Sequence, residues 1–303
     1  MALYTFPETN GNWKKYKNNP VLGNNALGTC FDVFLLKDTD GFRMYFSWRP
    51  KKSLAVSLSQ DGINWGEPRI ILEPMYETGW EDDLNRNCVV KSENKYHMWY
   101  TGQARGYSYI GYAVSDNGYD WKRCGNEPVL ISELYWENRS VMNPHVIFDE
   151  EENIFKMWYS GGETYEPNAI GYAVSSDGVN WVKHRANPIF VNTRGNMYEQ
   201  DRIGACQIIK DKDGYIMFYI GYEDIDTARI CIARSPDGIT RWEKCRHNPI
   251  ISPTEGSWDS NACYKPYAIF NEDKNSWYLY YNGRSGGAEY IGLVTHDGYD
   301  LWK

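Results

Sequence analysis

Asp32, Glu163 and Asp201 are the side chains best set, by type and neighbours, to move protons. Asp32 sits between Phe31 and Val33-Phe34, so it leaves an apolar strand start and should be well fixed; it reads as a general base. Glu163 ends Gly-Gly-Glu, where two glycines allow an unusual turn and close backbone approach, and it reads as the acid. Asp201, in Glu-Gln-Asp-Arg, is the rival acid, with Glu223 next; the alternative for Asp201 is an ion pair with Arg202. Two carboxyl groups share acid and base work only if their environments keep one protonated and the other ionised.

Cations accompany these acids. Arg49, Arg86, Arg105, Arg202, Lys265 and Arg284 fall at related places in the chain. Guanidinium forks suit carboxylates and phosphates, so they either receive an anionic ligand or clamp the site carboxylates and lower their pKa. Gln103 and Glu166 are hydrogen-bonding candidates, Glu166 as a ligand for a substrate hydroxyl. His145 is a proton carrier, a ligand for a central ion or a hydrogen-bonded core residue, and Trp48 is a loop aromatic able to stack on a ring. The chain has no His-Glu-x-x-His, no Cys-x-x-Cys and no glycine-rich phosphate loop, so no metal and no cofactor are expected.

What positions these residues is a repeat. Residues 110–130 read IGYAVSDNGYDWKRCGNEPVL, and 170–190 and 230–251 repeat the pattern, with partial copies at 54–72 and 291–303. Trp65, Trp121, Trp181, Trp242 and Trp302 mark the copies at intervals of about 60 residues, a period that signals a repeat architecture. Asp-Gly or Asn-Gly in each copy suits a tight hairpin turn, and no segment sustains a 3.6-residue apolar period. Two more strands precede each hairpin; the second reads RMYFSW, HMWYTG, KMWYSG, IMFYIG or YLYYNG. Four strands in each of five units predict an all-β, five-bladed propeller in one domain, 1–303. The tail WKKYKNNPVL (residues 13–22) has no strands of its own before it, and the last copy lacks such a tail, so the N-terminal strand is expected to close the ring.

Antiparallel order sorts the loops. The Asp-Gly hairpins share one face; the entries to first strands and the turns from second to third strands share the other, where the repeat breaks down. Every candidate above maps to that second face, and departures from a repeat mark where a site is expected. The aromatic-acid pairs Trp80-Glu81, Trp136-Glu137, Tyr198-Glu199 and Trp258-Asp259 do recur and read as structural.

A net charge of −8 argues against nucleic acid or a membrane surface as partner, since either calls for a basic face. No apolar run is long enough to span a bilayer, and the N-terminus lacks a signal-peptide core, so a cytoplasmic setting is expected. The seven cysteines follow no metal or disulfide spacing and read as buried thiols. Thirteen Trp and 25 Tyr suit packing between blades, with some left for sugar stacking.

The segments GTCFDVFLL, GWEDDLNRNCVV, MNPHVIFDEEENIFKMWYSGGETYEPNAIGYA, EQDRIGACQII, YKPYAIF and YYNGR resemble the five-bladed β-propeller glycosidases, the superfamily of glycoside hydrolase families 32, 43, 68, 117 and 130. The resemblance spans the whole chain. It implies an axial funnel, an Asp in the first blade acting as base or nucleophile, and further acids from later blades; Asp32 fits the first-blade position. The family 32 pattern Trp-Met-Asn-Asp-Pro is absent, and the third-blade entry, where families 32 and 43 carry a catalytic Glu, reads ENRSVMNPH. The expected activity is hydrolysis of an oligosaccharide end by two carboxyl groups, on a substrate that carries charge if the arginines face it. The alternatives are a phosphate-dependent phosphorylase and a non-catalytic sugar-binding propeller, separated by turnover with and without phosphate.

Overall fold

The computed structural model describes residues 5–92 and 94–302; the first four residues of the expected domain, Glu93 and the last residue of the final repeat, Lys303, lie outside them. Among the described residues the chain is all-β, interrupted by short 3-10 turns. It opens with β1 (Lys14–Lys15). The first unit is β2 (Cys30–Asp38), β3 (Gly41–Trp48), β4 (Ser53–Ser59) and β5 (Arg69–Leu72). The second is β6 (Asp83–Ser92), β7 (Lys95–Ala104), β8 (Tyr107–Ser115) and β9 (Lys122–Arg123). The third is β10 (Ser140–Asp149), β11 (Ile154–Glu163), β12 (Glu166–Ser175) and β13 (Val182–Lys183). The fourth is β14 (Arg202–Asp211), β15 (Gly214–Tyr222), β16 (Ala228–Ser235) and β17 (Glu243–Lys244). The fifth has β18 (Ala262–Asn271), β19 (Ser276–Ser285) and β20 (Ala288–Asp297), and its fourth strand is β1.

The register explains that last pairing. Lys15 lies opposite Val294 and Leu22 bridges Ile291, as Arg123 lies opposite Ala113 and Leu130 bridges Ile110. The first strand of each unit packs on the unit before it, and β2 packs on β18, β19 and β20. The apolar positions of β3, β7, β11, β15 and β19 fill the space between units, with Trp99, Trp158 and Trp277 fully buried.

The Asp-Gly segments differ from the expected tight turns. β8 ends at Ser115 and β9 begins at Lys122, so the connection is longer than a two-residue hairpin. In the second and third units the glycine takes the left-handed conformation there, at Gly118 (φ 78) and Gly178 (φ 77). The preceding side chain caps the loop instead: Asp177 Oδ1 accepts from the Val179 and Asn180 amides.

The recurring aromatic-acid pairs carry buried charge networks. Glu81 accepts from Tyr100 and Arg123, Glu137 from Tyr159 and Lys183, Glu199 from Tyr219 and Lys244, and Asp259 from Tyr281 and Lys15. Each joins the linker to the second and fourth strands of its unit, and in the fifth the cation comes from β1. A buried acid needs such partners, since desolvation disfavours its charge. In the first unit Phe46 replaces the tyrosine, and neither acid nor cation accompanies it.

Candidate active site

The first strand of every unit is irregular at one place: between Phe31 and Phe34, Asn85 and Cys88, Met142 and His145, Gly204 and Cys206, and Tyr264 and Tyr267. At each bulge a non-glycine residue adopts left-handed backbone: Asp32 (φ 57), Arg86 (φ 55), Asn143 (φ 53), Ala205 (φ 33) and Lys265 (φ 51). A bulge re-aims a side chain out of the ladder, and such backbone costs about 1–3 kcal/mol per residue, so it persists where the surroundings enforce it.

The neighbouring unit does the enforcing. The N–H of Arg86 donates to Ser47 Oγ (3.0 Å), that of Asn143 to Thr101 Oγ1 (3.2 Å), that of Ala205 to Ser160 Oγ (2.9 Å) and that of Asp32 to Asn282 Oδ1 (2.9 Å). The acceptors hold one equivalent position in β3, β7, β11 and β19. In β15 that position is Ile220.

Asp32, Arg86, Asn143 and Lys265 converge on a cavity of about 470 Å³ lined by residues of all five units. The first two units contribute Arg49, Lys52, Asp82, Asp83, Asn85, Gln103 and Arg105; the fourth and fifth contribute the apolar Ile220, Ala228 and Ala262 beside Tyr222 and Tyr264, with Asp226, Arg284 and Glu289.

Asp32 is the buried carboxylate of this cavity, 2 % exposed. Burial pushes its pKa above the usual carboxylate range, and Glu289 adds to the shift, while Arg86, Lys265 and Arg49 oppose it. Its oxygens accept from Ser47 Oγ (3.3 Å) and Asn282 Nδ2 (3.5 Å). Lys265 is held below the usual lysine range by burial, with Asp32 opposing. A carboxyl group whose pKa is raised suits proton donation, whereas the sequence pointed to a base.

Several cations already have partners. Arg49 pairs with Glu289 (2.9 Å) and lies 4.2 Å from the Phe31 ring centroid. Arg202 pairs with Glu166 (3.0 Å) and Asp201 and stacks on Tyr222; Arg284 bonds the Asp226 carbonyl. Arg86 bonds Asn85 Oδ1 (2.7 Å), a neutral group, and Gln103 accepts from Asn85 Nδ2 (2.8 Å). Among the described residues no cluster of three or more His, Cys, Asp or Glu side chains could hold a metal ion.

The cavity lining includes Asp32, Arg49, Arg86, Gln103, Glu166, Lys265 and Arg284, and leaves out Glu163, Asp201, Trp48, His145, Arg202 and Glu223. Glu163 lines a separate outer depression with Trp136 and Asn168. By register the third-unit residue equivalent to Gln103, Tyr222 and Arg284 is Gly162, so Glu163 lies one residue beyond that position. Asp201 is taken up by its ion pair with Arg202, and Glu223 by Arg229. Trp48 donates to the Leu27 carbonyl (2.8 Å) and packs in the core, so it offers no stacking face in the cavity. His145 is buried against the Ile208 carbonyl (2.9 Å), with its imidazole pushed down to about 3 by burial and then by Lys265; it is a core residue.

The sequence reading missed Ser47, Asn282, Tyr222, Tyr264 and the apolar Ile220, Ala228 and Ala262. The signal for the first two lay in the shared signature strand, whose fifth position changes from Ser or Thr to Ile or Asn between copies.

Comparison with known proteins narrows the class. Similar solved structures are propellers that act on glycosides. A structure described as a glycoside hydrolase has a TM-score of 0.76 at 17 % identity, over 92 % of this chain and 90 % of that one. The β-1,2-mannobiose phosphorylase of Listeria innocua, in complex with β-1,2-mannobiose, gives 0.72 at 12 % identity over 94 % and 97 %. These likenesses show the fold. Residues 34–200 and 155–302 match the Glycosyl hydrolases family 32 N-terminal domain, and the chain belongs to that family. The β-1,2-mannobiose phosphorylase of Thermoanaerobacter sp. (strain X514) is 25 % identical over 295 residues, spanning 74 % of this chain and 94 % of the relative. No helix among the described residues is long and apolar enough to cross a membrane.

Proposed function

We propose that this chain cleaves a glycosidic bond by phosphorolysis in the central cavity, with Asp32 as proton donor. The observation that carries this reading is one buried carboxyl group, biased toward its protonated form, among the cations Arg86, Lys265 and Arg49. Protonated Asp32 gives its proton to the leaving sugar oxygen as the glycosidic bond breaks. A phosphate oxygen takes the anomeric carbon, and the proton of hydrogen phosphate restores Asp32. The products are a sugar 1-phosphate and a sugar shortened by one unit. Arg86, whose guanidinium bonds the neutral Asn85 amide oxygen, and Lys265 are the groups to hold the phosphate. Tyr222 and Tyr264, half-buried in the lining, accept the C–H face of a sugar ring, and Glu166 and Gln103 supply polar contacts.

The five units serve as five blades closed by β1, in one catalytic domain over residues 1–303. The strand pairing of β1 with β20 and the packing of β2 on the fifth unit support this. Seven free thiols, six of them buried, fit the reducing cytoplasm.

A second reading is hydrolysis, favoured by Asp82 and Asp83 on the same cavity. Either carboxylate would serve as base for a water, and the charged rim would then select an anionic sugar. The test is incubation with β-1,2-mannobiose and a panel of manno-oligosaccharides, with and without inorganic phosphate. Mannose 1-phosphate formed only with phosphate is the expected result. Free sugar released at the same rate without phosphate replaces phosphorolysis by hydrolysis. Binding without turnover in both arms leaves a sugar-binding propeller.

A further inference from the structure

We propose that Asn282 is a positioning residue for Asp32, holding its carboxyl group in one orientation and favouring release of its proton. The inference rests on the reading of Asp32 as the proton donor and adds what tunes it.

The argument comes from the repeat itself. Ser47, Thr101, Ser160, Ile220 and Asn282 occupy one position in the five units. Where a hydroxyl stands there, it accepts the N–H of the next unit's bulge, which is all that Arg86, Asn143 and Ala205 receive from it. A hydroxyl is therefore enough to hold a bulge. The fifth unit departs from this with an amide, and the bulge it faces bears the carboxylate. An amide offers an acceptor and two donors at once, so it can hold the backbone and also donate to the side chain.

Both bonds are present. Asn282 Oδ1 accepts the Asp32 N–H at 2.9 Å, and Nδ2 reaches Asp32 Oδ1 at 3.5 Å. The backbone donor fixes which end of the amide is which. Asn282 is 0 % exposed, so water does not compete for it. Ser47 completes the hold from the other side: its hydroxyl donates to Asp32 Oδ2 (3.3 Å) while accepting the Arg86 N–H (3.0 Å). The charged groups acting on Asp32 are Arg86, Lys265, Arg49 and Glu289. The amide works with the three cations and against burial, because a donor to a carboxylate favours its ionised form.

Asn282→Ser separates the two roles, because serine keeps the acceptor that Ser160 offers Ala205 and loses the amide donor. Asn282→Thr, the second unit's residue, is the alternative if the serine variant does not fold. The first readout is titration of the Asp32 carboxyl by carbon NMR on aspartate-labelled protein, the signal assigned by its loss in Asp32→Asn. The midpoint is expected to rise by at least about half a pH unit, while the thermal midpoint stays within about 2 °C of wild type. With a turned-over glycoside in hand, kcat should fall about tenfold with KM within about threefold, and the pH profile should move with the titration. An Asp32 midpoint unmoved in the serine or threonine variant overturns the proposal. Turnover that survives Asp32→Asn overturns the functional reading instead, and the titration still decides the role of Asn282.

Discussion

The Tyr280 hydroxyl donates a 2.6 Å hydrogen bond to the Gly62 carbonyl, joining the fifth unit to the capped turn of the first. Tyr45 reaches Gly118 in the same way, Trp99 reaches Gly178 and Trp158 reaches Gly238. The fourth unit has Phe218 here and makes no such bond. Tyr280→Phe imposes the fourth unit's arrangement on the junction that joins the ends of the chain. It leaves a buried carbonyl without a partner and should cost about 1–2 kcal/mol, read from denaturant midpoints at unchanged m-value. No loss of stability would show that this bond does not hold the junction.

Glu163 and Asp201 carry the most decisive negative prediction. Glu163 faces the outer depression, and Asp201 is held by Arg202 outside the cavity lining. Glu163→Gln and Asp201→Asn should each leave kcat/KM within about threefold of wild type, since a lost general acid costs about 10²–10⁴. A drop beyond a hundredfold in either would return that residue to the chemistry.

The repeat made the strand order and the β1 pairing legible, because turn chemistry and apolar alternation recur in every copy. The finer placements were less legible. Glu163 ends the Gly-Gly-Glu run, and the register sets Gly162, not Glu163, at the position that Gln103 holds in the second unit. The paired glycines marked an irregular hairpin, with the register shift of β11 and β12 at Gly161 and Gly162, rather than a ligand approach. The left-handed bulges were invisible because Asp, Arg, Asn, Ala and Lys share no local signal for that backbone. At four of the five, the acceptor in the preceding unit reveals it.

His145 sets an acid limit on stability. Its folded pKa, about 3, lies below the unfolded value of about 6.5, so the unfolded chain binds the proton more readily. This contribution is complete above pH 6.5 and is lost as pH falls toward 3, by up to about 1.4 kcal/mol per unit. His145→Gln keeps a donor for the Ile208 carbonyl and removes the titration. Between pH 7 and 4 the variant should lose about 2–3 kcal/mol less than wild type in urea unfolding. Parallel curves would mean that other groups govern the acid limb.

Glu137 and Lys183 test the buried networks. Glu137 is fully buried, accepts from Tyr159 and Lys183, and caps the amides of Glu133 and Leu134. Lys183→Met removes its cation and should destabilise by about 3–5 kcal/mol, as expected when a buried charge loses its partner. Adding Glu137→Gln should recover part of that loss, since the uncompensated charge is then gone. A double variant no better than the single one would locate the cost in packing of the lysine stem.

Asp32 joins activity and stability with opposite signs. Its folded pKa lies above the unfolded value, so the protonated form favours the folded chain. That contribution is fully present below the unfolded pKa of about 3.9 and declines as pH rises toward the folded pKa. Asp32→Asn keeps the site neutral at every pH and retains an amide for Ser47 and Asn282 to bond. The variant should lose at least about a hundredfold in kcat, as a proton donor would, and yet melt above wild type at pH 8. The difference in melting should shrink as pH falls and close below about 3.9, where wild-type Asp32 carries its proton in both states. A variant that melts below wild type at pH 8 would show that pairing with Arg86, Lys265 and Arg49 outweighs the cost of burying the charge. Asp32 would then be an ionised carboxylate, and the proton donor would have to be sought among Asp82, Asp83 and Glu166 on the same cavity.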